Sequence, residues 1–101
     1  MGKWSTYQLR GGSAASPANY PAPVLTVLGE PDISWTYGGT DPDHWSIETS
    51  ASEFGPFAEV ATQPGASRSD SHTSAHDWVR IIGLDGLNAP LTPYSNTENQ
   101  F

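Results

Sequence analysis

The chain has no cysteine, which excludes a disulfide framework, a thiolate metal site and a cysteine nucleophile. It has only four basic residues, Lys3, Arg10, Arg68 and Arg80, against eleven acids. Because the four are scattered, the basic stripe that nucleic-acid backbones require is missing, and no nucleic-acid partner is expected. No apolar run approaches the roughly 20 residues of a membrane span, and none of about seven follows Lys3, so neither a membrane partner nor a signal peptide is expected. At 101 residues there is material for one core and not for two.

What the chain does have is turn chemistry: ten glycines and nine prolines, with charged residues at only 15%. That mixture favours short strands joined by many turns and an all-β fold. From Ala22 onward, β-type runs recur about every ten residues, the spacing of a sandwich. They are Val24 to Leu28, Asp32 to Tyr37, His44 to Ser50, Phe57 to Thr62, Ser67 to His72, Trp78 to Asp85 and Leu91 to Thr97. Segments such as Gly29-Glu30-Pro31, Phe54-Gly55-Pro56, Pro64-Gly65 and Asp85-Gly86-Leu87-Asn88 separate them with residues that set turns. Within the runs, Ile33, Trp35 and Tyr37 share a face, as do Trp45, Ile47 and Thr49, and Val79 and Ile81. These faces are expected to form the core.

Residues 1–21 read differently, as an arm, with residues 22–101 as the sandwich domain. The arm holds Lys3 and Arg10 and no acid, whereas the rest holds two arginines against all eleven acids, a balance of −9. Its tip, MGKWSTYQLR, carries Trp4, Tyr7 and Leu9, large apolar groups with no core of their own, and its GGSAASPANYP stretch is a linker by composition. Docking the three would bury on the order of 400 to 500 Å² of apolar surface, roughly 10 kcal/mol gross at about 25 cal/mol per Å². Ordering about nine residues costs a similar amount, at about 1 to 2 kcal/mol each. One arm is thus a marginal anchor, and a symmetric set of copies that also touch the partner through their bodies would be a durable one.

Several order-dependent features resemble fibronectin type III domains. They are Pro23-Val24-Leu25-Thr26-Val27, Ile33-Ser34-Trp35, Trp45-Ser46-Ile47-Glu48 and Val79-Arg80-Ile81-Ile82-Gly83-Leu84-Asp85 followed by Pro93-Tyr94-Ser95-Asn96. The resemblance covers about residues 22 to 97. It implies a seven-stranded antiparallel immunoglobulin-like sandwich with Trp35 at its centre, Val79, Ile81 and Gly83 facing inward, and a last strand ending at Tyr94-Ser95-Asn96. The sequence departs from the family at Asp77, where the family usually places the tyrosine of its corner. The corner before Val79 must close in another way.

Chemistry-bearing residues are few. His72 and His76, with Asp70 and Asp77 nearby, have metal-ligand side chains but no helix to align them, and a structural reading is preferred. The Asp41-Pro42-Asp43 loop lacks the ligand count of a calcium loop and reads as solvated, as does His44. No G-x-S-x-G elbow is present. No catalytic residue, metal or cofactor is assigned. On the sixth run, Trp78, Arg80 and Ile82 should face away from the core, as a partner surface or as cross-strand cover with Arg80 stacked on a ring.

A solitary module of this kind, opening on Met1 without a signal peptide, is similar in layout to short structural proteins of tailed phages. It implies a non-enzymatic virion protein, a capsid or tail decoration or attachment module. Its partner would be a capsid or tail structural protein in a symmetric multi-copy assembly, engaged through Lys3, Trp4, Tyr7, Leu9, Arg10, Trp78 and Arg80. The alternative is a carbohydrate-binding or spacer module of a surface protein, in which an exposed Trp45 or Trp78 would stack on a host-surface glycan.

Overall fold

Alternation with a period of two turns each β-type run into a strand with one face for the core. In a computed structural model of the chain, residues 19–29, 32–73 and 76–100 are described, and they contain seven strands and no helix. The strands are β1 Val24–Gly29, β2 Asp32–Thr36, β3 His44–Ser50, β4 Ala58–Pro64, β5 Ser69–Ser71, β6 Trp78–Leu84 and β7 Glu98–Asn99. They form two antiparallel sheets, one ordered β1-β2-β5 and the other β4-β3-β6-β7.

The sheets meet through their alternating apolar faces. Leu25, Ile33 and Trp35 of the first pack against Trp45, Ile47, Val79 and Ile81 of the second, with Val27, Tyr37 and Ala61 at the margins. Each such side chain contributes roughly 1.5 to 3 kcal/mol through burial. Trp45 is 0% exposed. Its ring meets Trp35 edge-on at 5.7 Å and Tyr37 at 5.0 Å, and its indole Nε1 donates to the Gly65 carbonyl at 3.0 Å. Trp35 is also in the core, but its Nε1 has no acceptor among the described residues. Gly83 is dictated by close approach: a Cβ there would lie 2.9 Å from both Pro42 and Thr92 side-chain carbons.

The registers define two poles. At one, Thr40 N donates to Asn19 O, Gly65 N donates to Asp43 O, and His44 pairs with Leu84. A side chain at Gly39 would collide with Pro21 and the Asn19 carbonyl, so residues 19–21 already lie against the body. At the opposite pole, Ser50 pairs with Trp78 and Trp78 with Asn99, Asp32 pairs with Ser71, and Gln100 N donates to Asp77 O. Asn19 and Gln100 therefore sit at opposite ends of the sandwich.

The last run differs from expectation. A regular ladder is confined to Glu98–Asn99, and residues 91–97 run alongside β6 with an isolated Leu84–Pro90 bridge and amide bonds from Leu91 and Ser95 to the Gly83 and Ile81 carbonyls. Pro90 and Pro93 bring no N–H to a ladder. Side chains supply the other half of the bonding: Thr92 Oγ1 accepts from Gly83 N and Ser95 Oγ accepts from Ile81 N, each at 2.9 Å.

Candidate functional site

Of the residues singled out as partner-binding, Lys3, Trp4, Tyr7, Leu9 and Arg10 lie outside the described residues. Trp78 and Arg80 lie on the outer face of β6, because Val79 and Ile81 take the inner one. That outer face is not the open stripe expected. Ile82 is only 4% exposed and its register partner Ser46 is buried too, under a Ser46 Oγ to Glu59 Oε1 hydrogen bond of 2.7 Å. Trp78 is half-buried.

Arg80 organises this face. Its guanidinium carbon lies 4.1 Å from the Phe57 ring centre and 3.7 Å from that of Tyr94, and its Nε donates to Glu48 Oε1 at 2.9 Å. β3 supplies Glu48 directly opposite Arg80 in register. Phe57 leads into β4, and Tyr94 comes from the irregular segment after β6. Stacking on a ring was legible in the sequence; that the rings are Phe57 and Tyr94 was not, because neither is near Arg80 in the chain. The result is a rigid cation flanked by two rings, with Tyr94 exposed at its edge.

A second polar cluster lies inside, bringing together residues of β4, β5 and the end of the chain. His72 Nδ1 is 2.8 Å from Asp70 Oδ2, His72 Nε2 is 3.1 Å from Gln100 Oε1, and Gln63 Nε2 donates to Asp70 Oδ1 at 2.6 Å. The side chains of His72 and Asp70 are 5% and 3% exposed. A histidine held by a carboxylate has the form of a general base, and here both side chains are almost fully enclosed. His76 and Asp77 point elsewhere: both are exposed, and it is their carbonyls that matter. Gln100 Nε2 donates to His76 O at 2.8 Å and Gln100 N to Asp77 O at 2.7 Å, which ties the end of the chain to the residues before β6. Gln63 and Gln100 carried no sequence signal, since amide side chains have no spacing rule.

At the Asn19 pole the acids are occupied. Asp41 Oδ1 accepts from Arg68 Nη2 at 2.6 Å, and Asp43 meets His44 Nδ1 at 2.8 Å, which makes His44 half-buried and paired instead of solvated. Asp85 Oδ1 accepts from the amides of Ala89 and Leu87, and these bonds hold its carboxyl below the usual range. Burial raises the Tyr37 phenol above its usual range, with its hydroxyl donating to Thr40 O at 2.7 Å. Among the described residues no three His, Asp or Glu side chains converge as a metal site would require.

Trp45 is no sugar platform, since the core encloses it entirely. The outer side of the three-stranded sheet is also open, with Val24, Thr26, Leu28, Thr36, Ser69 and Ser71 exposed. It is a hydroxyl-rich face with no stacked aromatic ring. Comparison with protein-family models, with curated proteins and with solved structures finds no match to this chain.

Proposed function

We propose that the chain is a non-enzymatic display module of a virion: a fibronectin type III-like sandwich fastened to a capsid or tail protein by its N-terminal segment. The partition of strands supports the family resemblance, with β1, β2 and β5 facing β3, β6 and β7 as in immunoglobulin-like sandwiches, and β4 extending the second sheet. The observation that carries the display reading is the polarity of the body. Asn19, where the basic and aromatic segment joins, lies at one pole, and the acidic remainder extends away from it to the opposite pole at Gln100. A tether at one end of a rigid body leaves the far end free to face outward, and repeated copies supply the avidity that one arm lacks.

Deletion of residues 1–12 tests this reading. The shortened protein should melt at the parent temperature, because the core cluster starts at Leu25, and it should no longer co-sediment with particles stripped of the parent. Reversing the charge of Lys3 and Arg10 should weaken binding in a salt-dependent way if the receiving surface is acidic. Full co-sedimentation by the shortened protein would remove the anchoring role and move the contact to the face around Trp78 and Arg80.

A further inference from the structure

Where the edges of the two sheets come together, the side chains leave a hollow whose chemistry selects a class of ligand. β5 is the edge of the first sheet and β4 the edge of the second, and the Gln63 Nε2 to Asp70 Oδ1 bond of 2.6 Å bridges them. Beside that bridge is an open hollow of about 420 Å³, within the roughly 300 to 1,000 Å³ of small-ligand sites. Leu28, Asp32, Gln63, Ser67, Ser69 and Ser71 contribute to its lining. Backbone bonds fix these positions: Asp32 pairs with Ser71, Ser34 pairs with Ser69, and Ser67 N donates to Pro64 O at 2.9 Å.

The polar groups of the lining are unspent. The Asp32 carboxylate and the hydroxyls of Ser67, Ser69 and Ser71 have no partner among the described residues, and Gln63 uses its Nε2 on Asp70 while its Oε1 stays free. Asp70 has nothing to spare, because Gln63 and His72 take its two oxygens. Among the described residues no basic or aromatic side chain lines the hollow. Arg68 turns its guanidinium to the Gly65 and Ser67 carbonyls and to Asp41 instead. Hydroxyls donate and accept, whereas a carboxylate accepts only. The lining therefore offers hydrogen bonds of both senses together with one negative charge. That disfavours an anion and leaves a flat aromatic ligand no ring to stack on. Leu28, 63% exposed, adds an apolar wall.

We propose that this hollow binds a neutral saccharide. Adjacent ring hydroxyls of one sugar unit donate to Asp32, others exchange hydrogen bonds with Ser67, Ser69 and Ser71, and the C–H face of the sugar rests on Leu28. The site is separate from Trp78 and the Arg80 face, and it does not depend on the anchoring role of the N-terminal segment.

Two-dimensional NMR of the full chain reads the site residue by residue. The probes are the methyl glycosides of glucose, galactose and mannose, taken to about 50 mM because an open site for one sugar unit binds at about millimolar strength. Methyl glucuronide is the acidic control and spermidine the cationic one. A neutral glycoside should shift the Asp32, Ser69 and Ser71 amides along a saturable curve, the glucuronide should not, and spermidine should act more weakly than the best glycoside. Asp32→Asn keeps the shape of an exposed side chain, and it should raise the dissociation constant about fivefold or more by weakening charge-assisted bonds. Ser69→Ala should raise it by a smaller factor, and Thr26→Ala, on the same outer face but outside the hollow, should leave it unchanged. Deleting residues 1–12 should also leave it unchanged, so failure of this site and failure of the anchoring role are read separately. No saturable shift with any of the three glycosides, shifts centred on Trp78 and Tyr94, or a stronger response to spermidine would each overturn the proposal.

Discussion

Asn96 pairs with Leu25 as a neighbouring strand would: its Oδ1 accepts from the Leu25 amide at 2.8 Å and its Nδ2 donates to the Leu25 carbonyl at 3.0 Å. One side chain thereby joins β1 of the first sheet to the segment that Ser95 ties to β6 of the second. The Asn96→Ala protein should lose about 1 to 3 kcal/mol, since Leu25 is buried and two backbone groups lose their partner together. A urea titration checks this through the midpoint, and the slope should not change.

The two core tryptophans should answer differently to the same substitution. Trp45→Phe removes a satisfied indole donor as well as ring volume, whereas Trp35→Phe removes a buried N–H with no acceptor among the described residues. Trp35→Phe should be the milder by about 1 to 3 kcal/mol. Trp35→Ala should cost about 3 to 5 kcal/mol, a large part of the stability of a small domain. Parallel chemical denaturation of the three variants would show whether the order holds.

Arg80 is held as a plane between two rings, and lysine cannot replace that plane. We expect Arg80→Lys to cost about 1 to 2 kcal/mol despite keeping the charge. Phe57→Leu in the same background should then cost less than it does alone, a coupling that a double-mutant cycle measures directly.

Asp85 gives a pH prediction with a definite sign. The amides of Ala89 and Leu87 hold its carboxyl below the ordinary value, so the stability it supplies is present above the unfolded value of about 3.9 and disappears as pH falls through the lower folded one. The Leu87 and Ala89 amide resonances should shift together with the Asp85 carboxyl midpoint in an acid titration. Asp85→Ala should abolish that shared transition while leaving the core cluster folded.

Much of this fold was legible because half-buried strands advertise themselves with a period of two. Ile33 and Trp35, Trp45 and Ile47, and Val79 and Ile81 are on the inner faces where the alternation put them, and β3 has the limits read from the sequence. The segment after β6 was not legible, because Thr92, Ser95 and Asn96 bind backbone through side chains, and such bonds have no periodicity. His72 looked like a loop residue for a related reason: its burial depends on Gln63 and Gln100, nine residues before it and 28 after it. The Ile82 side chain points outward as alternation requires, yet it is covered by contacts that alternation does not record.

The irregular course of residues 91–97 also bears on the edges of the sheets. A free strand edge is a template for another chain, and most edges here are blunted. β7 is two residues long, β5 is three, and the Asn96 side chain occupies the outer side of Leu25 in β1. β4 is the long edge, seven residues from Ala58 to Pro64, and it carries Glu59, a register irregularity opposite Ile47 and Glu48, and a proline at its end. By trading a regular last strand for hydroxyl and amide caps, the chain covers backbone groups that another strand would otherwise pair with.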